Sequence, residues 1–393
     1  MSEPSVSAGT NELVNRASPE AVERPVVHYV TGREPVLRLS QTLIEFSARC
    51  GQPGAMDDIA YFLSKPGALP RIPNLLLVAR RSELDWNSPK LDDLLGALLI
   101  FEQDISGFGI GAYATNDRSG RSTLIAVGPE RSRVAALTSR ALLDRGAHLI
   151  LMSFRAADEP ESCAAIRTPL LEVAEHGKVV GRWAQRERTI PGYLPLSRSF
   201  DATLAKIGQR TRSNLRYYRR RAEADLGCVF LPRIEATRED VLRFNRKCMY
   251  AVPAEVAGWR YDSLKELKEP VFMGIKDGDG RWLSMLGGRR HGDRSEILWQ
   301  MNRSGLATSS LGTVMRSYYI EHEIAHGSRR MYIEGGTPHP IKFSFVPEEL
   351  TDLVVMRRTL AAKAIQMVAR RWISLDNELS HMLSAKDLEW MPC

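Results

Sequence analysis

Apolar and polar positions recur along this chain with two periods, and the switches between them mark its elements. Residues 1 to 33 are rich in Ser, Glu, Pro and Asn and show no hydrophobic period, which predicts a flexible tail. Leu39, Leu43, Ile44 and Phe46 then share one helical face, and Met56–Leu63 fits a second, shorter helix. Short runs rich in Leu, Ile or Val, bounded by turn residues, predict strands at Asn74–Ala79, Leu94–Glu102 and Thr123–Val127. Arg131–Arg145 returns to helical spacing, Gly146 closes it, and Ala147–Phe154 reads as the next strand. Strand, helix and strand in that order form a βαβ unit, which implies a parallel pair. A helix over Glu161–Glu175 and a strand from Lys178 are expected to follow.

Pro191, Gly192 and Pro195 make Arg186–Phe200 a connector between halves. Beyond it, Asp201–Asp225 is helical, Gly227 stops it, and Cys228–Pro232 is a strand. Glu239–Tyr250 is another helix; Val271–Ile275, Trp282–Arg289 and Ile297–Met301 are strands, the first two joined by a turn at Gly278-Asp279-Gly280. Helix Leu311–His326, Gly327 and strand Met331–Glu334 then repeat the element order that closed the first half, with no sequence identity between the halves. Leu353, Met356, Leu360, Ala364, Met367 and Ile373 mark a last amphipathic helix over Thr351–Ile373. The expected organisation is a tail (1–33), an N-terminal lobe (34–190), a C-terminal lobe (191–350) and a C-terminal helix packed on the body (351–393).

Composition narrows this picture. A chain of 393 residues exceeds what one hydrophobic core holds, and 44% hydrophobic with 26% charged residues is ordinary for a globular protein. No apolar run approaches the roughly 20 residues of a membrane helix, and Met1–Val22 lacks an apolar signal core, so a cytoplasmic setting is expected. Five dispersed cysteines without a CxxC pair indicate neither a disulfide scaffold nor a cysteine zinc site. The net charge of +7 concentrates between Arg182 and Arg221, and there Lys206, Arg210, Arg212, Arg216, Arg219, Arg220 and Arg221 share a helix with no carboxylate among them. Leu215, Tyr218, Ala222 and Leu226 form that helix's buried stripe, so the cations face outward, towards a CoA phosphate, an RNA backbone or solvent.

Three further constellations carry chemistry. Met301-Asn302 ends a strand, and Ser309-Ser310-Leu311-Gly312-Thr313 opens a helix whose N–H groups suit a phosphate or simple capping. His322-Glu323-Ile324-Ala325-His326 is a formal H-E-x-x-H, the zinc-protease arrangement. Against zinc stand Gly327 closing the helix and a third ligand that only Glu334 or His339 would supply; no metal is expected. Tyr332, Glu334 and His339 lie around the paired Gly335 and Gly336, with Lys342 just beyond, and suit proton transfer from an attacking amine or a plain structural role.

Gly305-Leu306, Ser310-Leu311-Gly312, Ala325-His326-Gly327, Arg329 through Gly336 and Ile341-Lys342-Phe343 together resemble the CelD-type (cellulose-biosynthesis) acetyltransferase-like domain of the GNAT superfamily, and more distantly the Fem-type transferases. The resemblance covers Ser197–Phe345, and the helix carrying Arg212–Arg216 resembles the domain's other characteristic stretch. Glu334 stands where the pattern has Asp, Ile341-Lys342 where it has Tyr-Lys, and only Gly312 remains of the glycine-rich phosphate loop.

The resemblance implies an α/β (α+β) fold of tandem GNAT-like lobes, each a mixed twisted sheet flanked by helices. It implies an N-acyltransferase moving an acyl group, expected to be acetyl, from acetyl-CoA or another acyl-CoA to an amine of a small molecule or cell-envelope precursor. Glu334, His339 and Tyr332 would be catalytic. Met301, Asn302, Ser309, Ser310, Leu311, Gly312, Thr313 and Arg216 would hold the donor, and Gly335, Gly336 and Lys342 the acceptor. The alternatives are a Fem-like transferase using aminoacyl-tRNA, a zinc hydrolase using His322 and His326, and a non-catalytic binding module.

Overall fold

A computed structural model of the chain describes residues 25–52, 56–64, 71–81, 83–105, 108–115, 124–155, 181–334, 339–364 and 391–392. The N-terminal half contains β1 (Val26–Thr31), α1 (Arg33–Arg38), α2 (Ser40–Arg49), α3 (Ile59–Ser64), β2 (Arg71–Ala79), β3 (Leu94–Ile105), β4 (Phe108–Ala114), β5 (Leu124–Ala126), α4 (Arg131–Asp144) and β6 (Leu149–Arg155). The long β7 (Gly181–Pro195) leads into α5 (Phe200–Ala205), α6 (Gln209–Leu226), β8 (Val229–Leu231), α7 (Arg238–Asn245), α8 (Ala254–Asp262), β9 (Pro270–Lys276), β10 (Trp282–His291) and β11 (Arg294–Asn302). Then come α9 (Leu311–Ala325), β12 (Arg330–Ile333), β13 (Val346–Arg357) and β14 (Met391–Pro392).

The protein is mixed α/β, with a large mixed sheet in the order β1-β2-β3-β4-β6-β13-β7-β12-β11-β10-β9-β8, flanked by helices. Each lobe holds one parallel pair: β4 with β6 in the first and β11 with β12 in the second. The first pair differs from the expected one. β5 and β4 both lie antiparallel to β3, at its two ends, and it is β4 that meets β6.

Three expectations are corrected. Residues 26–31 form β1, paired along β2, and α1 begins at Arg33, although 26–33 fall within the expected tail. The helix over Asp201–Asp225 is two helices broken at Lys206–Gly208, with Gly227 in the left-handed region ending the second. Thr351–Arg357 is strand, not helix. β13 pairs with β6 on one side and β7 on the other, and Leu353, Val354, Val355 and Met356 are all buried. A strand covered on both faces loses its period-2 alternation, and a continuous apolar run fits a helical stripe equally well. The expected helix Glu161–Glu175, and the part of the last one beyond residue 364, lie outside the described residues.

The connector is β7 itself. Its first thirteen residues run along β13, and its last two, Leu194 and Pro195, pair with Met331 and Arg330 of β12. The lobes also meet in a mixed core, where Tyr61 and Phe62 of α3 pack among Ile234, Phe244, Leu298 and Trp299 of the second lobe.

Candidate functional site

The parallel ladder between β11 and β12 runs from Arg294/Arg330 to Ile297/Ile333 and then stops, while β11 continues to Asn302. The last link is the Glu334 N–H donating to the Ile297 carbonyl. At that level β11 carries a bulge: Ile297 faces Gly288 and Trp299 faces Gly287, so Leu298 has no opposite number on β10. The two glycines make room for it. A Cβ on Gly287 would lie 2.2 Å from the Trp299 indole, and one on Gly288 would lie 2.4 Å from the Glu296 carbonyl oxygen. A bulge bends its strand and re-aims the backbone groups around it. Here it falls where the two parallel strands part.

The start of α9 stands at this opening. Ser310 sits at its N-cap in the left-handed region (φ 47°, ψ 48°), an unfavourable conformation for a residue with a Cβ. Among the described residues, the N–H groups of Leu311 and Gly312 have no acceptor, whereas those of Thr313 and Val314 bond back to the Ser310 carbonyl. Three polar side chains line up beside them. The Ile341 N–H donates to His339 Nδ1 (3.2 Å), so in the neutral ring Nε2 carries the proton and donates to Thr313 Oγ1 (3.1 Å). Thr313 Oγ1 and Ser310 Oγ share a further hydrogen bond (2.8 Å). Burial, with Arg316 and then Lys342 nearby, pulls the His339 pKa down to about 3.

On β11, Asn302 Oδ1 accepts from Ser284 (2.8 Å) and from Gln300 Nε2 (2.9 Å), and Gln300 Nε2 also reaches the Gly312 carbonyl (3.4 Å). Met301 is buried in the mixed core. The sequence reading missed Gln300 and the bulge; the adjacent Gly287-Gly288 inside a strand was the available signal.

Glu334 follows β12 directly and is partly buried at the point of divergence. Tyr332 donates its hydroxyl to the buried Glu348 carboxylate at the head of β13 (2.9 Å), with the Tyr193 ring 5.6 Å away. Nothing in the sequence linked Glu348 to Tyr332, because the sheet alone brings β12 and β13 to either side of β7. Lys342 lies in a 3-10 turn, Pro340–Ser344, half-buried, its pKa lowered by burial and by Arg316. Gly335 and Gly336 lie outside the described residues.

Two other constellations resolve into local structure. The His322 and His326 rings lie 4.0 Å apart, tilted by 41°, and His326 Nδ1 sits 2.8 Å from the His322 carbonyl. Glu323 points elsewhere: it is fully buried, accepts both Arg290 nitrogens at 2.8 Å and takes the Ser328 hydroxyl at 3.0 Å. Among the described residues no group of three or more His, Cys, Asp or Glu side chains is placed to hold a metal. On the basic helix, Arg216 pairs with Asp201 (2.7 Å), Arg219 with Glu223 and Glu321 (3.1 and 2.6 Å), and Arg221 with Asp225 (2.9 Å). Carboxylates from outside the cationic run thus neutralise three of its charges.

No family model and no curated protein matches this sequence. Among solved structures it is similar to FemX, with 11% identity and a TM-score of 0.47, over 76% of this chain and 90% of that one. It is similar to a tandem GNAT protein from the clavulanic acid biosynthesis pathway, with 11% identity and a TM-score of 0.46, over 84% of this chain and 98% of that one. L-PGS from Bacillus licheniformis is similar at 11% identity and a TM-score of 0.43, over 70% and 85% of the two chains. No helix among the described residues is long and apolar enough to cross a membrane.

Proposed function

We propose that this protein is an N-acyltransferase that moves an acyl group from an acyl-CoA to an amine, with the opening between β11 and β12 as its active site. The observation that carries this reading is the coincidence of three features: the end of the parallel ladder, the bulge at Leu298, and the two unsatisfied N–H groups at the start of α9. Parted strands leave room for a thin, extended thioester arm. The bulge offers backbone groups to polarise its carbonyl, and the helix start with its dipole suits the donor's pyrophosphate. In this reading the His339–Thr313–Ser310 relay delivers a hydroxyl proton to the same phosphate.

The amine must lose a proton as it attacks the carbonyl carbon and the thiolate leaves. Glu334, at the mouth of the opening, takes that role. His339 serves as a positioning residue instead, since both ring nitrogens are engaged and it stays neutral across the physiological range. Tyr332, tied to Glu348, holds the end of β12. Arg216, already paired, contributes at most long-range attraction.

The test is thermal stabilisation of the full chain by acetyl-CoA and longer acyl-CoAs, against free AMP, followed by mass spectrometry for acylated amines. Stabilisation by acyl-CoA alone, with product formation, is the expected result. No shift at saturating acyl-CoA would sink the proposal. Stabilisation by aminoacyl-tRNA instead, falling with salt, would move the donor to the Fem-type class.

A further inference from the structure

One buried charge near this opening is left without use by the acyl-transfer step. Arg316, on the second turn of α9, is 8% exposed, and its Nε is buried without an acceptor. Among the described residues no carboxylate, carbonyl or hydroxyl bonds to any part of its guanidinium. Two neighbouring arginines of this lobe, the buried Arg289 and the partly exposed Arg290, are treated differently. Arg289 is held by Asp58 and Glu296, and Arg290 lies in a two-point contact with Glu323. An unpaired buried cation is costly, and burial pulls the Arg316 pKa down to about 10. The charged and titratable groups it acts on are Lys342, another cation, and neutral His339, and among the described residues no carboxylate pairs with it.

Its position says what would. Arg316 lies three residues after Thr313 and four after Gly312, on the same face of α9, and Thr313 touches His339. Arg316 and Lys342 therefore both lie near His339, on the side of α9 that carries Thr313 and one turn beyond the helix start assigned above to the donor's phosphates. A guanidinium offers a planar, two-point fit to an oxyanion, and a site more than nine-tenths buried admits a small planar one more readily than a bulky phosphate.

We infer that Arg316, with Lys342, receives a carboxylate of the amine acceptor, so that the acceptor is an amino acid or a similar carboxylate-bearing amine. This rests on the acyl-transfer reading for the word acceptor; the oxyanion site itself does not depend on it. Holding the carboxylate there would leave the substrate's amino group free to face Glu334 and the thioester.

The experiment compares the full chain with Arg316→Met and Arg316→Lys. Each is titrated by thermal shift and calorimetry with a panel of amino acids, their decarboxylated amines, inorganic phosphate and acetyl-CoA. In the wild type, at least one amino acid should bind and its decarboxylated amine should not. Arg316→Met should keep or raise the melting temperature of the free protein, since an uncompensated buried charge has been removed. It should also weaken amino-acid binding roughly ten- to a hundredfold while leaving acetyl-CoA binding unchanged. Arg316→Lys should retain part of the amino-acid binding.

Binding of no carboxylate in the panel, or equal binding by wild type and Arg316→Met, overturns the inference. If phosphate or acetyl-CoA binding is what Arg316→Met removes, the site belongs to the donor and the acceptor assignment fails. If carboxylates bind through Arg316 while acetyl-CoA binds nowhere, the acyl-CoA reading falls and the oxyanion site remains.

Discussion

At the scale of single residues, neutralised and withheld charges separate the roles within one cluster. Glu334 stands at the divergence of β11 and β12, and replacing it by Gln should lower kcat about 10²- to 10⁴-fold with little change in the donor's KM, as read in steady-state assays. His339 carries a pH signature. Its folded pKa lies near 3 against 6.5 for an ordinary histidine, so the unfolded chain binds the extra proton first on acidification. The stability tied to this neutral ring is complete above about pH 6.5 and drains away as pH falls towards 3. Urea midpoints measured from pH 7 down to 4 should therefore fall less steeply in His339→Gln than in the wild type; equal slopes would contradict the neutral assignment. Which histidine would be neutral, and which tyrosine would find Glu348, was not legible in the sequence, because the partners lie on elements that only the sheet brings together.

At the scale of elements, the opening depends on a defect placed in an otherwise regular strand. Gly288 has no space for a Cβ, since the obstructing atom is a backbone oxygen rather than the tip of a side chain. Gly288→Ala should cost about 1–3 kcal/mol in chemical denaturation and, by straightening β11, lower activity more than its stability loss explains. Element type was read well wherever apolar spacing was periodic: α2, α4, α9 and the strands β2, β3, β9, β10 and β11 follow the expected segments closely. It failed at β13, where burial on both sides removed the alternation. It also failed at α8, whose tertiary contacts, such as the Trp299 Nε1–H donated to the Arg260 carbonyl (3.1 Å), leave no mark in local periodicity.

At the scale of the whole molecule, two devices weld the lobes. The first is a buried ion cluster. Arg289, 4% exposed, bonds Asp58, 2% exposed, at 3.1 Å and also binds Glu296, while the Lys268 N–H donates to Asp58 at 2.6 Å. Asp58 holds this place with a left-handed backbone (φ 58°). Asp58→Ala would leave Arg289 with Glu296 alone and the Lys268 N–H without its acceptor, so it should cost about 1–3 kcal/mol, with the loss read as a lower urea midpoint of the full chain. The second device is topological. β13 follows the second lobe in sequence but lies between β6 and β7 of the first. Residues 34–190 alone would lose the strand that covers β6, so that fragment should be insoluble or unfolded by circular dichroism, whereas a chain retaining residues 346–357 should fold.

The sequence by itself determined the mixed α/β class, the order of most helices and strands, and the helix start at Ser309–Thr313, because these rest on local spacing, turn residues and caps. The tertiary structure alone decided that β13 closes the first lobe and that Glu323 serves Arg290 rather than a metal pair. It alone placed the bulge where two parallel strands part, and left Arg316 buried without a counter-charge among the described residues. Each of these depends on which distant segments share a wall, and neither spacing nor composition carries that information.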